Sequence, residues 1–210
     1  MNRRSFLGAA IGTLLTTRSA WSFDLVDMLG RVARGRSGLR SLAGPFTQVR
    51  RIGLLAAEVR STGSLTFLAP DRLRWELAPP DAITYWMTPE GLAYRGRTGQ
   101  GRMPSSGGKL ALEDLRVVLG GDLTKLRTRY ELRGETLADG GVWFEATART
   151  SGLRFEFALA PDLARPTLAR IWEQRPASSR GRGKADRTDI RFGVLERDGV
   201  VDRASLQIPF

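Results

Sequence analysis

The feature that most constrains the fold is a repeated alternation of apolar and charged residues. The run Arg72-Leu73-Arg74-Trp75-Glu76-Leu77 alternates without a fault, and the segments Leu126–Leu132 and Leu153–Leu159 do so in the second half of the chain. Because successive side chains of a β-strand point to opposite faces, each run predicts a strand with one buried and one solvated face. About ten such segments predict an antiparallel sheet that is covered on one side only.

Two segments have helical spacing instead. Their apolar residues recur every three to four positions, which predicts two amphipathic helices with one apolar face each. A large twisted sheet tends to curl or to split into two packed layers. The pattern alone leaves both outcomes open, a curled sheet around a cavity and a packed β-sandwich without one.

The N-terminus has the features of an export signal. Arg3 and Arg4 precede an apolar stretch, Phe6–Leu15, that is shorter than the roughly 20 residues needed to span a bilayer. Small residues at Ala20 and Ser22 provide a cleavage site. Residues 1–22 are therefore predicted to be a signal peptide of twin-arginine type, followed by a single domain, 23–210. An N-terminal amphipathic or membrane-anchoring helix is the alternative.

The chain contains no cysteine and no histidine. Ser-His-Asp and Cys-His nucleophiles, the usual zinc sites and imidazole bases are thereby excluded. The carboxylates of the strands alternate outward with arginines, which is typical of a solvated face rather than of an acid–base pair. The glycine-rich segment Gly96–Gly108 lacks the ending of a phosphate-binding loop and is predicted to be a mobile loop. We therefore expect no enzyme, no metal and no cofactor.

The formal net charge is +11, and nearly all of the cations are arginines. For an exported protein this favours transient contact with an anionic membrane surface over nucleic-acid binding. Arginine-rich coding alone could also produce such a composition. The run 175–187, rich in Arg, Ser and Gly without apolar periodicity, predicts a flexible loop that either contacts head groups or is merely solvated.

A series of short motifs in the first half resembles one known family. These motifs are Phe46-Thr47-Gln48, Gly63-Ser64-Leu65, Pro70 and Leu73-Arg74-Trp75-Glu76. In order and spacing they are similar to the Phe-x-Gln, Gly-x-Leu, Pro and Phe-x-Trp series that opens the outer-membrane lipoprotein carrier (LolA) family. The family has an arginine just before the hairpin proline, which holds a helical lid by hydrogen bonds. Here that position is Ala69, so the resemblance is to a divergent member.

The resemblance implies an α+β fold, mainly antiparallel β, in which a curled incomplete β-barrel of about ten strands is covered by a helical lid. It implies a monomeric periplasmic carrier that shuttles an acylated lipid or lipoprotein from an inner-membrane exporter toward an outer-membrane acceptor. A periplasmic ligand-sensing or regulatory module of the same fold, acting on a membrane partner, is the alternative.

An acyl-chain carrier requires a large apolar lining, because each buried methylene contributes about 0.8 kcal/mol. The residues predicted to line the cavity are Leu65, Phe67, Leu73, Trp75, Ile83, Tyr85, Met87, Tyr130, Phe155 and Phe157. The residues predicted to form the lid are Leu25, Met28, Leu29, Leu112, Leu115, Val118 and Leu119. Each of them could equally be an ordinary core residue.

Overall fold

The computed structural model describes residues 20–52, 57–103, 110–150, 153–173 and 186–210, with side chains except those of 20–23, 103 and 110–113. The predicted signal peptide lies outside these residues except for its last three. Most of the predicted loop 175–187 is also outside them, but its last two residues, Asp186 and Arg187, belong to a strand.

Within the described residues the chain forms two α-helices, twelve strands and two short 3₁₀ helices. The α-helices are α1 (Ala20–Gly35) and α2 (Leu110–Gly120), and the 3₁₀ helices are Leu123–Thr128 and Ala204–Leu206. The strands are β1 (Ser41–Ile52), β2 (Ala57–Leu68), β3 (Arg72–Leu77), β4 (Ile83–Thr88), β5 (Gly91–Gly96), β6 (Gly99–Met103), β7 (Tyr130–Thr136), β8 (Val142–Ala148), β9 (Arg154–Leu159), β10 (Pro166–Glu173), β11 (Asp186–Phe192) and β12 (Glu196–Arg197).

The described strands form one antiparallel sheet. Its order is β6-β5-β4-β3-β2-β1-β11-β10-β9-β8-β7, and β12 pairs with the start of β1. The two end strands, β6 and β7, are not paired with each other, so the sheet curls without closing into a barrel. The predicted fold class, an incomplete curled barrel with a helical part, is confirmed. The sandwich alternative is not what the chain adopts.

The alternation in the sequence corresponds to the two faces of the sheet. On β3 the side chains of Leu73, Trp75 and Leu77 are buried, whereas the arginines and the glutamate between them are partly exposed. On the outer face, Arg154 pairs with Glu145 and Glu156, and Glu156 also pairs with Arg170 at 3.3 Å. The outward carboxylates are thus engaged by arginines, as the pattern predicts.

Two segments differ from the sequence predictions. Part of Gly96–Gly108, predicted as a loop, is the strand β6, and residues 104–109 lie outside the described residues. A Cβ at Gly101 would lie only 3.0 Å from the ring of Tyr94. Because glycine has no Cβ, β6 can pair with β5 at this position. The predicted strand from Leu126 begins only at Tyr130, because the preceding 3₁₀ helix is capped by the Asp122 carboxylate, which accepts from the Thr124 N–H at 2.9 Å.

The two helices lie inside the curl and approach the sheet at glycines. A Cβ on Gly134 of β7 would lie 2.7 Å from the sulfur of Met28 on α1. A Cβ on Gly120, at the end of α2, would lie 2.2 Å from the ring of Phe67 on β2. Because these glycines have no side chain, the helices pack directly on the inner face. This packing excludes water from that part of the interior.

Candidate functional site

The interior of the curl is only partly filled. A cavity of about 420 Å³ remains, which we call the inner cavity. Its apolar wall comes from both sides of the sheet and from α2, and it includes Trp75, Leu77, Ile83, Leu115, Ile171 and Ile190. The volume is within the range of about 300–1,000 Å³ that is typical of small-molecule sites.

Trp75 is the best-supported aromatic of this wall. Its ring stacks on Phe46 with centroids 3.8 Å apart and meets Phe192 edge-on at 6.2 Å. Only 2% of Trp75 is exposed. Because three strands hold these rings in place, the apolar end of the inner cavity is preformed.

One side of the inner cavity is polar, which we call the polar belt: Gln48 on β1, Ser61 on β2, Thr188 on β11 and the Tyr85 hydroxyl on β4. These side chains occupy inward positions of the sheet, since Gln48 pairs in register with Ser61 and with Ile190. Ser61 is 5% exposed and donates a hydrogen bond to the carboxylate of Asp81. Polar groups at such positions require hydrogen-bond partners, from the protein or from a ligand.

Charged side chains surround the mouth of the inner cavity. Arg50 and Arg97 lie there together with Asp81, Glu173 and Asp186. Burial raises the pKa of the Tyr85 hydroxyl, and Asp81 raises it further, while the nearby charge of Arg50 lowers it. The mouth is thus ionic, the belt is polar and the far end is apolar.

Three of the residues predicted to line a cavity do so: Trp75, Ile83 and Tyr85. The other predicted lining residues are packed in the core and are not on this wall: Leu65, Phe67, Leu73, Met87, Tyr130, Phe155 and Phe157. They face inward as expected, but the helices and the rings of β8 and β9 fill the space against them. Phe155, for example, lies edge-on to Tyr130 at 5.0 Å.

The predicted lid residues divide in a similar way. Leu115 of α2 lines the inner cavity. Met28, Leu29, Val118 and Leu119 are buried in the core, and Leu25 is partly buried against it. The side chain of Leu112 is outside the described residues.

The two helices are joined by one buried arginine. Arg36 follows α1, and its guanidinium donates to the carbonyls of Val117 at 3.2 Å, of Gly121 at 2.8 Å and of Val118. These carbonyls belong to the C-terminal turn of α2, where unpaired acceptors and the helix dipole favour a cation. Burial lowers the pKa of Arg36 to about 10, against a raising effect of Asp162. We call this set of contacts the Arg36 clamp.

The Arg36 clamp holds the two helices together. The family resemblance assigns the holding of the lid to an arginine at the position of Ala69. Ala69 packs against the hydrophobic core and carries no group that could hold a helix. A second tether joins α2 to the sheet, because the Asp114 carboxylate accepts hydrogen bonds from Arg129 and from the Tyr130 hydroxyl. The helices are therefore fixed by side chains that the motif series does not include.

Sequence reasoning did not identify the polar belt or the walls on β10 and β11. One sign was available, because Ser61 and Thr188 place a polar residue where the alternation calls for an apolar one. Ile171 and Ile190 gave no such sign, since nothing in a strand pattern distinguishes a cavity wall from a packed core.

A wider groove of about 710 Å³ lies on the outer face. It is lined mainly by outward-facing small and polar side chains, among them Thr47, Thr62, Ser64 and Thr84. Three inward-facing residues, Phe46, Leu77 and Phe192, also contribute to it. We take the smaller inner cavity as the candidate site, because it combines an apolar end with converging polar groups.

Two further searches of the described residues gave no site. No helix among them has the length and apolar character needed to cross a bilayer. In the same part of the chain, no group of three or more acidic residues is arranged to hold a metal ion.

Comparison with known proteins identifies relatives by fold only. No protein-family model and no curated protein matches the chain. A structure of MucB matches with a TM-score of 0.51 at 18% identity, over 89% of this chain and 63% of that chain. A DUF1329 family protein from Desulfovibrio piger matches with a TM-score of 0.50 at 12% identity, over 87% of this chain and 96% of that chain.

A LolA superfamily protein from Nitrosomonas europaea is also similar, with a TM-score of 0.44 at 10% identity, over 85% of this chain and 95% of that chain. This chain spans less than two thirds of the MucB chain. At these identities the likenesses show a shared fold. The prediction of a divergent LolA-like protein is confirmed only as a prediction of fold, through the match to the DUF1329 family protein.

Proposed function

We propose that the protein is a periplasmic carrier that takes an acyl chain of a lipid or lipoprotein into the inner cavity and moves it from the inner toward the outer membrane. The observation that carries the proposal is the inner cavity itself. It is an unfilled space of about 420 Å³ with Trp75 at its apolar end, inside a sheet whose other inner surface is tightly packed.

The energetics of transfer support this use of the cavity. A chain of roughly 16 carbons leaving a membrane loses on the order of 12 kcal/mol of hydrophobic stabilisation, at about 0.8 kcal/mol per methylene. An apolar wall such as Leu77, Ile83 and Ile190 offsets part of this loss without directional bonds, so the chain can be released again.

The proposal includes contact with membranes at both ends of the transfer. An inner-membrane exporter would load the carrier and an outer-membrane acceptor would unload it. The net charge, which is +11 for the whole chain and +8 without Arg3, Arg4 and Arg18 of the predicted signal peptide, supports transient contact with anionic lipid surfaces. The proposal assigns no catalytic step, in keeping with a site that holds no histidine or cysteine.

Lipid extraction followed by mass spectrometry tests the binding step. We expect an acylated species at about one per protein in the wild type and its loss in Val59→Trp, because Val59 lines the inner cavity and an indole there would occupy it. Arg60→Trp is the matched control, since Arg60 is the next residue on the opposite, exposed face. A wild-type protein without lipid, which also ignores fluorescent fatty-acid probes, would refute the proposal.

Transfer between vesicles separates the carrier from the regulatory alternative. A carrier moves labelled lipid from donor to acceptor vesicles at a rate that rises with protein concentration, and Val59→Trp abolishes this rise. Stoichiometric binding without any transfer, even with long incubation, would instead indicate a sensing or regulatory module.

A further inference from the structure

The polar belt gives the inner cavity a property that an acyl-chain site does not need. A hydrocarbon tail makes no use of Gln48, Ser61 or Thr188. Ser61 already donates a hydrogen bond to Asp81, whereas the partly exposed side chains of Gln48 and Thr188 form no hydrogen bond with another described residue. Their side chains converge from three neighbouring strands on one side of the cavity, next to the Tyr85 hydroxyl. A polar group of the ligand can hydrogen-bond to Gln48 and Thr188.

Two adjacent arginines on β1 show which charge such a group would carry. Arg51 faces outward and pairs with Asp189 and, at 3.1 Å, with Glu58. Arg50 faces the inner cavity, and no carboxylate among the described residues forms an ion pair with it. Arg50 is therefore a cation at the mouth that is available to a ligand.

The surroundings of Arg50 provide further hydrogen-bond donors. In register it lies between Val59 on β2 and Thr188 on β11. Its charge reaches the Tyr85 hydroxyl, whose pKa it lowers against the effect of burial. Thr188 adjoins Arg50 in register, and Tyr85 is close enough to interact with its charge, so their hydroxyls are further donors at the mouth. Charge-assisted hydrogen bonds to an oxyanion are about twice as strong as neutral ones.

The acidic residues of the mouth are placed differently. The Asp81 carboxylate accepts the hydrogen bond of Ser61. Glu173 and Asp186 face each other in register at the ends of β10 and β11, and Asp186 is two positions from Thr188 on the same face of β11. They would repel an anion that approached from their side, which favours a head group seated against Arg50.

We infer that the polar belt and Arg50 form a head-group site, and that the ligand of the inner cavity is an amphiphile with a carboxylate or phosphate head and an acyl tail. This inference rests on the proposed function, because it assumes that the tail occupies the apolar end. It adds that the head group is held inside the cavity mouth and is selected by its charge.

Equilibrium dialysis with four amphiphiles of equal tail length tests the inference. The probes are dodecanoate, dodecyl phosphate, dodecanol and dodecyltrimethylammonium at neutral pH, the three ionic ones below their critical micelle concentrations and dodecanol below its solubility limit. We expect the two anionic probes to bind at least about tenfold more tightly than dodecanol. The stronger of the two distinguishes a carboxylate from a phosphate head, and dodecyltrimethylammonium should bind weakest.

Substitution of the two adjacent arginines separates local recognition from net charge. Arg50→Gln should weaken binding of the anionic probes by about tenfold and of dodecanol by less than about twofold. Arg51→Gln removes the same charge from the outer face and should change neither. Retained dodecanol binding also shows that Arg50→Gln is folded.

The outcomes distinguish the two proposals. Equal affinity for all four probes, a preference for the cationic probe, or the same loss from Arg51→Gln as from Arg50→Gln would overturn the head-group site while leaving tail binding intact. Failure of every probe to bind would overturn the proposed function together with it.

Discussion

The inner face of the sheet has two halves, and strand β2 contains both. At one end Leu65 and Phe67 are buried against the helices, with Phe67 fully covered. At the other end Val59 and Ser61, on the same face of the same strand, line the inner cavity. We call these the packed half and the open half. The difference shows that strand periodicity assigns a residue to a face, whereas the helices decide whether that face is filled.

The largest expected effect comes from truncating an aromatic in each half. Phe67→Ala should lower the free energy of unfolding by about 3–5 kcal/mol, because it leaves a void between β2 and α2. Tyr85→Ala, in the open half, should cost about half as much or less, since one side of that ring already faces empty space. Urea denaturation of both variants measures the difference. Equal losses would mean that the two halves are packed alike.

An intermediate effect is expected from the Arg36 clamp, which keeps α2 on the packed half. Arg36→Met should lower the free energy of unfolding by about 2–3 kcal/mol, because three carbonyls at the end of α2 lose a charged donor. Amide hydrogen exchange should accelerate in α2 more than in the strands. Arg40→Met, at an exposed position close by, is the control and should leave exchange in α2 unchanged. A uniform acceleration throughout the protein would contradict a local role for the clamp.

The smallest expected change in the free energy of unfolding comes from a surface substitution, with which the variants of both halves can be compared. Arg60→Gln, on the outward side of β2, breaks a surface ion pair with Glu58 and should change the free energy of unfolding by no more than about 0.5 kcal/mol. The same urea experiment measures it. A change as large as that of Tyr85→Ala would show that the outer face contributes more than surface ion pairs normally do.

Much of the fold could be predicted, because the alternation of apolar and charged residues can be seen in each short segment of the sequence by itself. The β2–β3 hairpin and the burial of Leu73 and Trp75 follow directly from it. The strand β6 could not be predicted in this way, since its inward positions include Gly99 and Gly101, which have no side chain to alternate. In the 3₁₀ helix Leu123–Thr128 the two buried leucines, Leu123 and Leu126, are three positions apart, and Asp122 caps the helix. Leu126 and Thr128 nevertheless continue the alternation of β7, which made the segment resemble the start of a strand.

The candidate site was less predictable, because it depends on contacts between distant segments. Phe157 and Trp75 have the same sequence pattern, and each stacks on a neighbouring ring, but Trp75 lines the inner cavity and Phe157 does not. Arg36 is one arginine among many, and its role depends on where α2 ends. The family motifs predicted a residue that holds the lid at the position of Ala69, but alanine has no side-chain group that could hydrogen-bond to a helix.

The partners of Arg36 have a consequence for how the helices respond to their surroundings. Backbone carbonyls do not titrate, and a pKa of about 10 keeps the guanidinium charged at neutral pH. A lowered arginine pKa makes folding pH-dependent only above that value, where the free energy of unfolding would rise with pH. Buried charges are also little screened by salt. Changes of pH near neutrality and of ionic strength should therefore act little on the Arg36 clamp, so the contact between α1 and α2 is expected to persist over that range.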